Sequence, residues 1–258
     1  MVYGFIGTGA ITAAIVTGLC DGQADAPQIL VSPRNRAVSA DLAQRFASVR
    51  VAADNQAVID GASALILAVR PQDAAAALAG LAFPPHMPII SLMAGRTVAR
   101  VRELVAPATD VVRAIPLPAV SAREGATPIF PASDIAIALF DRLGTALPVA
   151  DEDAFAAFGA ATATMASYFT FIRAIADWLV GRGIPAEQAQ RYLAAVFAGL
   201  AGPLRRGERD FARLAHDHAT PGGLNERLLG YLTEAGAFAS VQSGLDDIAS
   251  HIARAMVD

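Results

Sequence analysis

The first strand, turn and helix constrain the fold of this chain more than any other segment. A short apolar run from Val2 to Ile6 leads directly into Gly7-Thr8-Gly9, and a helical pattern continues through Ile15 to Leu19. Gly7 permits the tight turn, Gly9 lets a ligand approach the backbone, and the helix N-terminus presents free N–H groups and a positive dipole end. The pattern predicts a βαβ unit that binds the pyrophosphate of a dinucleotide, with a purely structural glycine turn as the alternative.

The predicted pyrophosphate contacts lie on this turn and on the first residues of the helix. They are Gly7, Thr8, Gly9, Ala10 and Ile11. Thr12 replaces the third glycine of the usual G-x-G-x-x-G fingerprint. Because that glycine normally lets the helix pack closely on the strand, we expect looser packing at Thr12.

Strand and helix patterns alternate up to about residue 147. Such alternation is typical of successive βαβ units and of a parallel-type, doubly wound sheet. A chain of 258 residues has room for two domains of ordinary size. We therefore predict an α/β Rossmann domain over residues 1–150. Its predicted strands are Val2 to Ile6, Gln28 to Val31, Val49 to Val51, Ala64 to Val69, Pro88 to Leu92, Asp110 to Arg113, Thr127 to Phe130 and Ala146 to Val149.

An all-α second domain is predicted over residues 151–258. Its alanine-rich helical segments are broken at Gly183-Ile184-Pro185, Gly202-Pro203 and Thr220 to Gly223. Several of these helices are apolar on more than one face, and hydrophobic residues make up 54% of the whole chain. A small helical domain cannot bury that much surface alone. We therefore expect a homodimer through the C-terminal helices, with a higher oligomer left open.

The end of the second predicted strand indicates which nicotinamide dinucleotide binds. In NAD-binding domains an acidic residue at this point holds the ribose 2′-hydroxyl, but here the segment reads Val31-Ser32-Pro33-Arg34-Asn35. Ser32 can donate a hydrogen bond and Arg34 a positive charge, which suits the 2′-phosphate of NADPH. The prediction is NADPH rather than NADH, with an exposed turn arginine as the alternative for Arg34.

Two further segments are predicted to line the cofactor. The fourth strand ends at Ala68, Val69, Arg70 and Pro71, on the carboxyl edge where doubly wound sheets bind ligands, so we expect this backbone to face the nicotinamide. Asn55 follows the third strand and could reach the adenosine ribose, although a helix N-cap role explains it equally well.

Charge and composition exclude several kinds of partner. The formal net charge is −4 and no block of Lys and Arg occurs, which argues against nucleic acid. The single cysteine, Cys20, is expected to be a buried core thiol, and no metal site is predicted. The chain opens directly into a strand, so we expect no signal peptide and a cytoplasmic protein.

The most apolar stretch, Phe155 to Val180, carries Arg173 and Asp177 in its interior. In a bilayer-spanning helix these two charges would make the free energy of insertion strongly unfavourable. We predict a buried helix of a soluble protein and no membrane association.

These motifs resemble those of the pyrroline-5-carboxylate reductase family, and the likeness covers nearly the whole chain. The resemblance implies a Rossmann domain, a C-terminal helical dimerisation domain, and NAD(P)H-dependent reduction of a cyclic imino acid to proline. The matching segments are Gly4 to Gly9, Ser32 to Asn35, Asp54-Asn55, Ala68 to Gln72, Ser91 to Gly95, Val112 to Pro116, Glu124 to Thr127 and Thr220 to Gly223.

The substrate-side motifs depart from those of the family. After Pro116 the family has asparagine, threonine and proline, whereas this chain has Leu117-Pro118-Ala119. The family carries a serine- and glycine-rich turn in the first long helix of the second domain. Here residues 161–166 read Ala-Thr-Ala-Thr-Met-Ala, for which we predict an unbroken helix.

In the family, the segment around Thr220 to Gly223 cups the substrate carboxylate with amides and hydroxyls. Ala219 and the pair Leu224-Asn225 replace three of the family's threonines, so the hydroxyl set is thinned. The proline and the two glycines still open a helix N-terminus, which favours an anion.

The resemblance and the residue chemistry together give the candidate substrate and catalytic groups. Thr220 and the amides of Gly222 and Gly223 would hold an anionic or polar group of the substrate. Thr164 or Tyr168, on the long helix, could donate a proton, as could water. The substrate-binding candidates are Pro116, Thr220, Gly222, Gly223 and Asn225, and the catalytic candidates are Thr164, Tyr168 and Thr220.

His216 and His218 lie just before this turn, two residues apart. A metal would need a third ligand, and none follows at the spacing of a known zinc site. An exposed or helix-capping role is favoured for both, with a new general acid as the alternative.

Three functional hypotheses follow. The first is NADPH-dependent reduction of the C=N bond of a small cyclic imine, with pyrroline-5-carboxylate or a relative as substrate. The second is an NADPH-dependent reductase of a different carbonyl or imine substrate. The third is a non-catalytic protein that binds NADP(H).

Overall fold

The computed structural model describes residues 1–257, with their side chains up to residue 254. The chain forms two compact units. The first comprises Met1–Gly159 and the C-terminal segment that begins at Ala249, and the second is Ala160–Ile248. The domain boundary was predicted between residues 150 and 151, whereas the first unit continues through most of the helix that follows the sheet. The predicted end of the second domain, residue 258, lies outside the described residues.

The first unit is built on an eight-stranded sheet with strand order β3-β2-β1-β4-β5-β6-β7-β8. All neighbouring strands are parallel except β6 and β7. The predicted α/β Rossmann class is confirmed. The strands are β1 Val2–Ile6, β2 Gln28–Val31, β3 Val49–Val51, β4 Ala64–Leu67, β5 Ile89–Ser91, β6 Val111–Ala114, β7 Gly125–Phe130 and β8 Gly144–Pro148.

Helices and one short connection explain these strand directions. A crossover helix returns the chain to the same edge and makes the next strand parallel, whereas β6 and β7 are joined only by the short 3₁₀ turn Pro118–Ala122 and are antiparallel. The helices of this unit are α1 Ala10–Cys20, α2 Arg36–Arg45, α3 Asn55–Gly61, α4 Ala74–Leu78, α5 Val98–Leu104, α6 Asp134–Asp141 and α7 Glu152–Ala161, with a second 3₁₀ turn at Pro71–Asp73.

The core lies on both faces of the sheet. Successive residues of β1 point to opposite sides, so that Phe5 packs with Ile15 and Leu19 of α1 while Ile6 packs with the helices of the other face. Covered parallel strands of this kind are apolar at every position, which is why the sequence shows short continuous runs. Each fully buried large side chain contributes about 1.5 to 3 kcal/mol. Cys20 is buried, as predicted.

The second unit contains helices and turns only, within the described residues. Its main packed pair is α8 with α9, around the buried Ala189 and Leu193. An all-α second domain was predicted and is confirmed. The helices are α8 Thr164–Val180, α9 Ala186–Arg205, α10 Phe211–His218, α11 Leu224–Glu234 and α12 Ala237–Val257.

Two local predictions about these helices are wrong. The helix expected to run unbroken through residues 161–166 ends at Ala161, and α8 begins at Thr164. The Thr164 hydroxyl donates to the Ala161 carbonyl at 2.8 Å, so a side chain takes the bond of a helical amide. The break expected at Gly202-Pro203 is absent, because α9 continues to Arg205. Pro203 lies in its last turn, where the carbonyl left without a donor belongs to the exposed Gly199.

The apolar stretch Phe155 to Val180 is largely exposed in the single chain, which corrects the prediction of a buried helix. Tyr168, Phe169 and Trp178 are 46%, 68% and 57% exposed. Among the described residues, Glu152–Val180 is the one stretch long and apolar enough to cross a membrane. Length and composition alone are weak evidence, since core helices of soluble proteins meet the same test.

An ion pair between a buried arginine and a half-buried glutamate fixes the start of α7 on the sheet. Arg113 of β6 is 2% exposed, its Nη1 donates to Glu152 Oε1 at 2.9 Å, and its guanidinium lies 4.4 Å from the centre of the Phe155 ring. The same carboxylate oxygen accepts the N–H of Val98 at the start of α5. Burial lowers the pKa of Arg113, and the hydrogen bond and charge of Glu152 act in the opposite direction.

Breaking this pair is expected to destabilise the first unit. Glu152→Gln leaves the Arg113 guanidinium buried without a counter-charge, and we expect a loss of about 2 to 3 kcal/mol in the free energy of unfolding, measured by urea denaturation. Glu103→Gln, which removes an exposed partner of Arg100, is the control and should cost less than about 1 kcal/mol. Equal losses in the two variants would contradict the assigned role.

Candidate active site

The turn between β1 and α1 lies against the carboxyl end of β4. Gly7 has a φ of +99°, and a Cβ atom on it would lie 2.6 Å from the carbonyl carbon and oxygen of Ala68. Any side chain there would push the turn off the strand. A Cβ atom on Gly9 would meet nothing within 4 Å. The N-terminus of α1, with Ala10 and Ile11 as its first residues, is therefore open to a ligand.

A hydrogen-bond network ties this turn to the end of β2. Ser32 Oγ accepts the N–H of Gly7 at 3.0 Å, and the Thr8 hydroxyl donates to the Ser32 carbonyl at 2.7 Å. The two hydroxyl oxygens are 3.1 Å apart. The Ser32 hydroxyl thus contacts both the Gly7 N–H and the Thr8 hydroxyl. Both residues are buried, with Ser32 1% exposed.

The structure thus shows Ser32 holding the glycine turn through its hydroxyl and its carbonyl oxygen. Its predicted hydrogen bond to a 2′-phosphate stays a prediction. Thr12 departs from expectation, because it is fully buried and its hydroxyl donates to the Gly7 carbonyl at 2.7 Å. Helix and turn are in direct contact there, whereas looser packing was expected.

A cavity of about 730 Å³ lies beyond the carboxyl ends of β2 and β3. Arg34 and Arg36 line it, together with Pro33, Asp54 and Asn55. The Arg34 side chain is 62% exposed, and its guanidinium lies 4.0 Å from the Asp73 carboxylate. Arg36 is the first residue of α2, where the helix dipole adds to its positive charge. The cavity thus presents two cations beside a helix N-terminus, an arrangement that suits a phosphate.

Sequence reasoning identified Arg34 but missed Arg36. The signal was present, because Arg36 follows Asn35, and the Asn35 side chain caps α2 by accepting the N–H of Val38. A residue at the first position of a capped helix lies beside the ligand that the helix N-terminus attracts. The N-cap at Asn35 indicates the position of Arg36, whereas the end of the strand alone indicates only Arg34.

Asn55 and the residues after β4 occupy places near this cavity. The Asn55 amide donates to the Ala77 carbonyl at 3.0 Å, and the N-cap of α3 is Asp54, whose carboxylate accepts the N–H of Ala57. The capping role left open for Asn55 is therefore taken by its neighbour. Arg70 pairs with Asp73 at 2.8 Å and precedes Pro71 at the start of a 3₁₀ turn.

Ala68 and Val69 form the backbone that meets the turn, since the Ala68 N–H donates to the Ile6 carbonyl at 2.8 Å. Pro116 is buried just after β6. Both segments follow strands at the carboxyl edge of the sheet, where the sequence placed them. Their contacts with a ligand stay predictions.

In the second unit, Thr164 and Tyr168 line one groove between α8 and α12. The groove has a volume of about 960 Å³ and a largely apolar lining. The Thr164 hydroxyl hydrogen is engaged by the Ala161 carbonyl, and the Tyr168 ring packs edge-on against Phe169 and Phe197. The structure thus brings two of the three predicted catalytic residues together.

Thr220 lies elsewhere, in the turn between α10 and α11. Its carbonyl accepts the N–H of Gly223 at 2.8 Å. The Asn225 amide donates to the His218 carbonyl at 2.9 Å, and Gly222 donates its N–H to Glu226. The amides of Gly222 and Gly223 and the Asn225 side chain thus form hydrogen bonds within this segment, and the partner of Gly222 is Glu226.

The two histidines of α10 have the exposed and helix-capping roles favoured by the sequence. His218 Nδ1 donates to the Leu214 carbonyl at 2.8 Å, which caps the end of the helix. His216 is exposed, with Nδ1 3.5 Å from Asp217 Oδ1. Over residues 1–257, no three His, Cys, Asp or Glu side chains are grouped so that they could hold a metal ion.

Two family models match the chain. The model described as "NADP oxidoreductase coenzyme F420-dependent" matches residues 2–95, and the model described as "Pyrroline-5-carboxylate reductase dimerisation" matches residues 152–255. Together they account for the α/β unit around the glycine turn and for the helical part of the chain. The chain as a whole resembles pyrroline-5-carboxylate reductases.

Individual pyrroline-5-carboxylate reductases are similar over nearly the full length. The Synechocystis sp. protein is 28% identical over 228 residues, which cover 85% of each chain. The Pseudomonas aeruginosa protein is 27% identical over 252 residues, covering 94% of this chain and 92% of its own. The crystal structure of the Streptococcus pyogenes enzyme is 25% identical, with a TM-score of 0.80 and 98% of both chains covered. The family resemblance found in the motifs is thereby confirmed.

Alanine substitutions at Gly7 and at Gly9 test two different properties of this turn, its stability and its binding of a ligand. Gly7→Ala places a methyl group against Ala68 at a positive φ, and we expect a loss of at least about 2 kcal/mol in the free energy of unfolding. Gly9→Ala should change stability by less than about 1 kcal/mol but weaken NADPH binding about tenfold or more, which is about 1.4 kcal/mol. Urea denaturation and isothermal titration calorimetry measure the two effects. A Gly9→Ala variant with undiminished affinity would place the pyrophosphate elsewhere.

Proposed function

We propose that this chain is an oxidoreductase that uses a nicotinamide dinucleotide to reduce the C=N bond of a small cyclic imine. The similarity to pyrroline-5-carboxylate reductases supports the reaction class. The observation that carries the proposal is the open glycine turn next to a cavity lined by two arginines. Pyrroline-5-carboxylate, the compound in the names of the relatives, is the reference substrate for an assay.

The described residues fit the cofactor. The open backbone at Gly9 and the N-terminus of α1 would hold its pyrophosphate, and the backbone of Ala68 to Pro71 would face the nicotinamide. Asn55, whose amide is held by Ala77, would lie beside the adenosine ribose. When bound, the cofactor supplies a hydride to the imine carbon while the nitrogen takes a proton.

The chain's own contribution is to position the imine and to provide that proton. Of the two predicted donors on α8, Thr164 has its hydroxyl hydrogen engaged by a carbonyl, so Tyr168 is the better candidate. Water is the alternative donor. Thr220 and Pro116 stay candidates for contacts to the substrate.

NADPH is proposed in preference to NADH. Arg34 and Arg36 line the cavity at the end of β2, and the Asp54 carboxylate in the same cavity is held by the N–H of Ala57. With Arg70 and Asp73 beside Arg34 included, three cations face two carboxylates, and this net positive charge favours the doubly charged 2′-phosphate. The preference thus depends on the two arginines, while Ser32 acts on the turn itself.

Substitutions separate these two roles. Arg34→Ala with Arg36→Ala should weaken NADPH binding at least about tenfold and change NADH binding by less than about twofold, because NADH lacks the 2′-phosphate. Ser32→Ala should weaken both cofactors to a similar extent, since it loosens the shared turn. Arg45→Ala, at the far end of α2, is the control. Fluorescence titrations with both cofactors make the comparison, and equal losses of NADPH and NADH in the arginine variant would contradict the assignment.

A homodimer through the C-terminal helices is proposed as the working assembly. Residues 152–255 match a dimerisation domain, and large apolar side chains on α8, α9, α11 and α12 are exposed in the single chain. An exposed apolar surface of this extent is typical of a subunit interface. We place the enzyme in the cytoplasm, with no membrane or nucleic-acid partner.

The proposed reaction is tested by NADPH oxidation against matched panels. Cyclic imines, including 1-pyrroline and 1-pyrroline-5-carboxylate, are compared with the corresponding ketones and aldehydes. We expect oxidation with imines at kcat/KM values at least about a hundredfold above those for carbonyl compounds. Oxidation with carbonyl compounds alone would assign a different reductase, and tight NADPH binding without any oxidation would assign a non-catalytic NADP(H)-binding protein.

A further inference from the structure

The side chain of Asp73 does not cap a helix, although it stands where a cap is expected. Asp73 ends the 3₁₀ turn Pro71–Asp73 and directly precedes α4. An aspartate at this position usually accepts an N–H of the helix that follows. In the described structure the Asp73 side chain accepts none of them. Its carboxylate is therefore available to other partners, and the side chain is only 25% exposed.

The partners of this carboxylate are two arginines from different strand ends. Arg70 follows β4, and its Nε and Nη2 both lie 2.8 Å from Asp73 Oδ2. Arg34 follows β2, and its Nη2 lies 4.0 Å from the same oxygen. The shorter distance is that of a hydrogen bond, whereas the longer one is that of an ion pair without a hydrogen bond. Asp73 thus shares one oxygen unequally between Arg70 and Arg34.

Arg34 is the member of this group that reaches the proposed cofactor site. It lines the cavity beyond β2 and β3, whereas Asp73 and Arg70 are not among the residues of its wall. The Arg34 side chain is 62% exposed. Because an exposed arginine has several staggered conformations open to it, its guanidinium can turn toward Asp73 or toward an anion in the cavity. Asp73 therefore acts on the cavity through Arg34.

The two nicotinamide dinucleotides differ in the group that this charge would affect. NADPH carries a doubly charged phosphate on the adenosine ribose, where NADH carries a hydroxyl. A carboxylate beside Arg34 attracts the guanidinium that the phosphate needs and repels the phosphate itself. The uncharged hydroxyl meets neither effect. The charge of Asp73 thus bears on the choice between the two cofactors.

We propose that Asp73 is a specificity-determining residue that limits the preference of this chain for NADPH over NADH. It holds back the guanidinium of Arg34, and a 2′-phosphate has to compete with it. This inference rests on the proposed function, because it concerns the cofactor of the same reductase. The wild-type protein still prefers NADPH, since Arg34 and Arg36 remain in the cavity, but by a smaller factor than the two arginines alone would give.

The test measures the ratio of the dissociation constants of NADH and NADPH by fluorescence titration of the full chain. Asp73→Asn removes the charge and keeps the shape, and it should raise this ratio about fivefold, the upper range for an exposed ion pair. The rise should come from tighter NADPH binding, with NADH binding changed by less than about 1.5-fold. Asp73→Glu keeps the charge and should stay within about twofold of the wild-type ratio.

Two further measurements separate this role from a structural one. The effect of Asp73→Asn should shrink at about 0.5 M salt, because exposed charges are then screened over a few ångströms. In an Arg34→Ala background, Asp73→Asn should raise the ratio by less than about twofold, since the residue through which Asp73 acts is missing.

Asp41→Asn is the matched control. It removes the same charge from another exposed arginine pair, in which Asp41 Oδ2 lies 3.2 Å from Arg45 Nη1 on α2. Because this pair lies away from the wall of the cavity, the variant should leave the ratio unchanged.

The outcomes separate the inference from the proposed function. A ratio that Asp73→Asn does not move, or one that rises only because NADH binds more weakly, overturns the role of Asp73 and leaves cofactor binding and imine reduction in place. An effect of the same size without Arg34 overturns the action through that residue. Failure of the wild-type protein to bind either cofactor overturns the proposed function, and the inference with it.

Discussion

The contact of the first glycine turn with the ends of β2 and β4 is the interaction on which the rest of the cofactor unit depends. Gly7 lies so close to Ala68 that no side chain fits between them, and Ser32 and Thr8 tie the turn to β2 by three hydrogen-bond contacts. This network fixes where α1 begins. The open backbone at Gly9 and the arginine-lined cavity are placed relative to it, so their fit to a dinucleotide follows from a few buried polar contacts.

Much of the first unit could be predicted from the sequence, because covered parallel strands leave a clear pattern. The glycine turn and all eight strands lie close to their expected positions, since apolar β-branched runs have few alternatives in a two-sided sheet. The direction of a hydroxyl group cannot be predicted in this way. The sequence around Ser32 does not show which groups its side chain contacts, and in the structure its hydroxyl oxygen accepts the N–H of Gly7 in the turn.

Some features of the second unit that the sequence did not reveal are local hydrogen bonds between side chains and backbone. Thr164 ends one helix and starts another by taking the Ala161 carbonyl, and Glu226 takes the Gly222 amide in the same way. Such bonds determine where a helix ends and which backbone amides stay available, but the hydrophobic periodicity of a sequence does not reveal them. The amount of exposed apolar surface was foreseeable, whereas the identity of the exposed stretch was not, because one chain alone does not show what covers it.

The central claim is that this chain passes a hydride from a bound nicotinamide cofactor to the carbon of an imine. Its most direct measurement is an isotope transfer with NADPH deuterated at the transferable position, followed by mass spectrometry and NMR of the amine formed from 1-pyrroline. The account predicts one deuterium on the former imine carbon and none elsewhere. An amine without deuterium, or bound cofactor that never yields an amine from any cyclic imine, would contradict it.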